Sequence, residues 1–156
     1  MPTTPILLPL LSVLAGSVTA STQNTSPDEQ AIVGVLEKFA DGWNRHDAKA
    51  FSMVFAEDAD FTNVVGRSAH GRSLVEQFHA PVFATIFKES HQTITSVAVR
   101  FVKPDIAAVD AGWEMTGVKD PEGKLRPSRK GLLNFIFAKT SGRWEILVMH
   151  NMDLPG

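Results

Sequence analysis

The sequence predicts an α+β fold: three helices, then a strongly curved, mainly antiparallel sheet that encloses a pocket. Three observations carry this. Apolar residues recur at helical spacing through the first half, at Ile32, Leu36, Phe39 and Trp43, and again at Leu74, Val75, Phe78 and Val82. From His91 onward the pattern becomes alternation. Polar turns at Lys103-Pro104-Asp105, Lys119 to Pro127 and Thr140-Ser141-Gly142 divide that second half into a meander of four strands.

The chain has 156 residues, enough for one domain with a real core. Residues 1–20 are expected to be a signal peptide. Ile6 to Ala15 is an apolar run too short to span a bilayer, and Val18-Thr19-Ala20 offers small residues for cleavage. Residues 21–26 form a polar linker, and the folded domain is expected at 27–154. The protein is therefore expected to be exported, periplasmic or secreted, with no membrane contact after signal removal. With 15 basic and 17 acidic residues well mixed, the net charge of −2 gives no footprint for nucleic acid. There is no cysteine, which excludes disulfides, thiol nucleophiles and thiolate metal sites.

Ser26-Pro27-Asp28-Glu29 starts the first helix: serine caps, proline suits the first position, and glutamate completes a capping box. The helix ends near Asn44. Asp47 caps a short second helix with Phe51, Val54 and Phe55 inward. Asp60 to Val64 reads as a short strand, Gly66 as a turn, and Ser68 to His70 as its return. Gly71 opens a third helix reaching Ile86, which Pro81 should bend or break. The remaining strands are expected at His91–Val102, Ile106–Val118, Arg129–Lys139 and Arg143–Met152. Such a sheet must twist, and curled over helices it leaves a one-ended cavity.

Several segments are then informative together: Trp43-Asn44-Arg45-His46-Asp47, Phe55 to Gly66, His70-Gly71-Arg72, His79, and Gly142-Arg143-Trp144-Glu145-Ile146 leading to His150-Asn151. In these the chain resembles the SgcJ/EcaC family of SnoaL-like domains, within the nuclear transport factor 2-like superfamily. The resemblance implies a cone-shaped pocket, a homodimer formed through the convex face of the sheet, and a short return strand beside the last strand, bringing His70 near His150. Set against the ketosteroid isomerases of the same fold, Asn63 falls where they carry a catalytic carboxylate, Phe39 where they carry a tyrosine, and Asn134 where they carry a protonated aspartic acid. An asparagine amide cannot take a proton from carbon, so classical steroid isomerisation is not expected.

The residues that could carry chemistry are few. Trp144, Ile146, Val148 and His150 alternate, which aims His150 inward. His79 lies on the flank of the third helix's apolar stripe. Histidine suits proton transfer near neutral pH; the alternative for each is a core histidine held by a backbone carbonyl. His150, His79 and Asn63 are the catalytic candidates. Trp43, Phe55, His70, Trp113, Asn134 and Asn151 are the candidates for ligand contact, although aromatics at such spacing are more often core. His46 and His91 read as solvated. No His-x-His, His-Glu-x-x-His or helical i, i+4 histidine pair is present, so no metal site is expected. No Gly-x-Gly-x-x-Gly follows a strand, so no Rossmann cofactor site, and no cofactor, is expected. No Gly-x-Ser-x-Gly supports a serine hydrolase. Two functions remain. One is a cofactor-independent isomerase, cyclase or dehydratase acting on a small apolar or polyketide-like molecule through a pocket histidine. The other is an exported, non-catalytic ligand-binding or scaffold protein. Fold alone does not separate them.

Overall fold

Ser26 caps the first helix: its Oγ accepts from the Glu29 amide at 3.1 Å, and Pro27 occupies the first turn. The computed structural model describes residues 25–155; the expected signal peptide and residues 21–24 of the linker lie outside the described residues. Helix α1 (Pro27–Asn44) buries Ile32, Leu36, Phe39 and Trp43 along one stripe. Asp28 in its first turn accepts from Lys139 Nζ at 2.7 Å and Trp144 Nε1 at 2.9 Å, tying the helix to the last hairpin of the sheet. The Lys139 hydrogen bond, with that of Trp144, holds the Asp28 carboxyl below the usual carboxylate range.

Asp47 caps helix α2 (Ala48–Ser52) through Ala50 N, as expected. The helix stops at Ser52, earlier than its apolar pattern suggests. Strand β1 (Phe55–Thr62) starts at once, because the Val54 carbonyl and Phe55 pair with Ile146 of the last strand. Strand β2 (Ser68–His70) returns antiparallel to β1. Gly71 then turns the chain at φ +86, its amide bonded to Ala59 O, and opens helix α3 (Arg72–Phe83). Pro81 does not break α3. It falls within the last turn, so the one amide bond it removes, toward Gln77, and any bend it imposes disturb only the helix end, and the helix stops two residues later. Ile86 thus lies beyond the helix, not on it.

Strands β3 (His91–Lys103), β4 (Ile106–Thr116), β5 (Arg129–Thr140) and β6 (Arg143–Asp153) form the predicted antiparallel meander. The sheet order is β2-β1-β6-β5-β4-β3, with β1 parallel to β6. The last strand therefore neighbours β1, not β2, and β1 separates His70 from His150. The helices cover one face. On that face Phe39, Phe51, Phe55, Trp113, Phe135 and Phe137 are buried. Phe39 meets Phe135 edge-on at 5.7 Å and Phe51 at 4.7 Å, favourable aromatic geometries.

Candidate functional site

Strand directions decide where the cavity opens. The C-terminal ends of β1, β4 and β6 and the N-terminal ends of β3 and β5 all lie at one end of the sheet. The β1–β2 turn and the β4–β5 loop rise there. Between them and α3 lies a cavity of about 410 Å³. Its inner wall is aromatic: Phe39, Trp43, Phe61, Phe78 and Trp113. Polar groups are few. They are His79 and Gln92 in the wall, Asn63 and Asn151, and Arg67, Arg126, Arg129 and Asp153 toward the mouth. An apolar chamber with a few convergent polar groups has the composition of a small-molecule site.

His79 is the buried titratable group of this chamber, with 3 % exposure. It is boxed by the rings of Phe51, Phe61, Phe78 and Phe83 at 4.4, 4.9, 5.3 and 5.5 Å between centroids. Its Nδ1 lies 2.7 Å from Val75 O, a carbonyl that only accepts. Nδ1 therefore carries the proton, and Nε2 is an unprotonated acceptor with no partner among the described residues. Burial without a counter-charge pushes the ring down to about 4, the Val75 hydrogen bond opposing this only in part. At neutral pH His79 is a neutral imidazole on the cavity wall.

Trp113 lies flat across Gly131. A β-carbon at 131 would stand 2.2 Å from the indole and 2.3 Å from the Met152 carbonyl. The indole Nε1 donates to Asn151 Oδ1 at 2.8 Å. Gly131→Ala is expected to push Trp113 into the cavity, break this bond and cost about 1–3 kcal/mol. Urea denaturation and near-ultraviolet dichroism would register both effects.

A family model for the SnoaL-like domain matches residues 36–145, more than half of the sequence. The chain belongs to the SnoaL-like domain family. None of the curated proteins compared with it matches. Solved structures place this SnoaL-like domain in the nuclear transport factor 2-like, cystatin-like fold. A cystatin-like protein from Caulobacter vibrioides superposes with a TM-score of 0.75 at 24 % identity, over 81 % of this chain and 89 % of that one. A domain of unknown function from Nostoc punctiforme gives 0.74 at 26 % identity, over 85 % and 80 %. A protein from Novosphingobium aromaticivorans, named provisionally as a scytalone dehydratase, gives 0.71 at 16 % identity, over 82 % and 85 %.

Of the residues singled out by sequence, His79, Asn63, Trp43, Trp113 and Asn151 line the cavity of this SnoaL-like domain, and Phe39 forms part of its wall. Asn63 is half committed to the fold, since its Oδ1 accepts from the Val65 and Arg67 amides at 3.1 and 2.9 Å and shapes the β1–β2 turn. Its amide NH₂ remains available.

Four residues lie elsewhere. His150 is exposed on the outer face. The register slips between Ile136/Val148 and Phe137/Ile146, leaving Leu147 as an extra residue. This bulge reverses the alternation, so Trp144 and Ile146 point inward, and then Met149 and Asn151. Asn134 pairs with His150 in register and donates to Asp110 on the same outer face, because Leu133 and Phe135 take the inner one. His70 is exposed, its Nδ1 2.8 Å from Asp60 Oδ1. Phe55 is wholly buried against Phe39 and Phe51, in the core rather than the cavity. His150→Ala is accordingly expected to change ligand affinity by no more than about twofold in calorimetry.

The sequence reading missed Gln92, Arg67 and Arg126. Gln92 alternates with Ile94 opposite Met115 and Trp113, a register that could have been read. Arg67 and Arg126 lie in a turn and a loop, where no periodicity reports direction. Among the described residues no three histidine, aspartate or glutamate side chains converge as a metal site.

Proposed function

We propose that this SnoaL-like domain moves a proton on a small, largely apolar carbonyl compound, as an isomerase, cyclase or dehydratase does, with His79 as acid and base. One observation carries the reading: a neutral imidazole, its tautomer fixed by Val75, lines a largely aromatic cavity with an Nε2 that makes no hydrogen bond among the described residues. Such a nitrogen would take a proton from the carbon next to a carbonyl. The oxygen then gains charge, which the Asn63 amide and the nearby guanidiniums would stabilise. The resulting enolate, close to the imidazolium, would raise the proton affinity of His79 when needed, so a low value in the empty cavity is compatible with the role. Loss of a hydroxyl from the carbon β to the carbonyl, the enolate electron pair forming the new C=C bond while the His79 imidazolium returns its proton to the leaving oxygen as water, would make the reaction a dehydration. The name of the Novosphingobium neighbour fits that variant.

The test needs no natural substrate. Ketones carrying a fused aromatic ring, such as 2-tetralone, exchange the protons beside the carbonyl in D₂O, and NMR follows the exchange. Acceleration by the protein, lost in His79→Gln, supports the reading. No acceleration over a panel of such ketones contradicts it. One observation favours a second reading: four phenylalanine rings pack on His79, as around a structural histidine. The domain would then be a carrier that binds without turnover.

The proposal includes export, on the strength of the apolar run and the small residues before Ser21, and a homodimer through the outer face of the sheet. Light scattering at micromolar concentration would give the assembly; a monomer would contradict the dimer.

A further inference from the structure

The cavity carries an electrostatic pattern that runs against the chain as a whole. The protein has a net charge of −2. The cavity lining holds Arg67, Arg126 and Arg129 against a single carboxylate, Asp153. Asp153 is already neutralised, because Arg129 Nη2 donates to both of its oxygens at 2.6 and 2.8 Å. Arg67 and Arg126 meet no carboxylate among the described residues. Arg67 lies over the Phe78 ring, 5.1 Å from its centre, which orients the guanidinium without neutralising it. Arg126 is held at the mouth by the β4–β5 loop, whose backbone folds back through Arg126 N to Val118 O. Two uncompensated guanidiniums therefore stand on two different loops at one cavity mouth.

The opposite requirement comes from the buried wall. Gln92 has 2 % exposure, and its backbone is fixed at both ends by Asn44, whose Oδ1 accepts from Gln92 N at 2.7 Å and whose Nδ2 donates to Gln92 O at 2.9 Å. Its side chain lies in the cavity wall beside Met115, and its Oε1 is fully buried with no donor among the described residues, so a ligand in the cavity reaches it once the amide turns about its last bond. A buried amide oxygen left unpaired is costly, and a ligand that supplies a hydroxyl removes the cost.

We propose that the cavity takes an aromatic-sized organic acid that carries a hydroxyl group, its carboxylate held by Arg67 and Arg126 at the mouth and its hydroxyl donating to Gln92 Oε1 in the wall. The aromatic body packs on the rings of Trp43, Trp113 and Phe61. This rests on the reading of the cavity as a ligand site but not on turnover by His79.

The probe is 6-hydroxy-2-naphthoate, with its methyl ester and 6-methoxy-2-naphthoate as controls, bound to the full chain and followed by calorimetry and tryptophan fluorescence. The hydroxy acid is expected to bind about tenfold or more tightly than the ester, a difference that shrinks at high salt. It should also bind more tightly than the methoxy acid. Arg126→Gln and Arg67→Gln should each weaken the acid and leave the ester unchanged, so ester binding also reports that the variants are folded. Gln92→Leu should abolish the preference for hydroxyl over methoxy. Equal binding of acid and ester, insensitive to both arginine variants, would overturn the proposal while leaving an apolar ligand site intact. Absence of binding by all three naphthalenes would overturn it together with the reading of the cavity as a ligand site.

Discussion

Replacing His79 with glutamine is expected to slow catalysed proton exchange on a ketone carrying a fused aromatic ring by about 10²- to 10⁴-fold, the usual contribution of a positioned acid/base. Glutamine keeps a polar, planar group of similar reach and still donates to the Val75 carbonyl. It cannot accept a proton from carbon. The variant thus separates basicity from shape. Affinity for an unreactive naphthalene ligand should stay nearly constant, since the aromatic walls and the mouth arginines are untouched. A loss of both binding and exchange would mean that His79 serves the cavity's shape, and the carrier reading would gain. Because the imidazole is unprotonated down to about 4, exchange in the wild-type protein should be flat from neutral pH toward mild acid and fall only as His79 titrates.

The second large effect is on stability. In the unfolded chain His79 takes a proton near 6.5, whereas in the fold burial delays this until about 4. Between these values the unfolded state binds more protons, so acid favours unfolding. The folded protein should keep its full His79 contribution above about pH 6.5 and lose roughly 3 kcal/mol as pH falls toward 4. The paired carboxylates Asp28 and Glu89, both held below their usual range by lysines, act in a lower window, as pH falls through the ordinary carboxylate range and below. Urea denaturation at a series of pH values should therefore show a slope between about 6.5 and 4 that His79→Gln removes. An unchanged slope in the variant would assign it to other groups.

The parts of this fold that were legible in the sequence are those where one period holds over a whole element. The α1 stripe from Ile32 to Trp43, the Ser26 cap and the meander from His91 onward are of this kind. The Phe61–Asn63 parity and the inward Trp113 follow from the same alternation. The failures occur where a local irregularity or a long-range pairing decides. Ile146-Leu147-Val148 is three apolar residues in a row. Such a run hides a bulge, since either neighbour can turn inward, and the bulge sends His150 outward and Asn151 inward. The start of β1 at Phe55 depends on parallel pairing with β6, about ninety residues away, and no local signal announces it. Asn134 lies outside the cavity for a different reason: the alternation of Leu133, Phe135 and Phe137 turns it outward, whatever residue the isomerases carry at the matching position. The mouth arginines lie in turns, so only the assembled end of the sheet brings them together.

The proposed chemistry depends on His79 being a neutral imidazole with Nε2 open to the cavity. Long-range ¹H–¹⁵N correlation on the histidine-labelled protein tests it directly, as a function of pH and with 6-hydroxy-2-naphthoate added. The expected spectrum shows His79 protonated at Nδ1, titrating near 4, with its Nε2 resonance displaced by the ligand. A His79 that titrates near 6.5, carries its proton on Nε2, or does not respond to the ligand would contradict the claim.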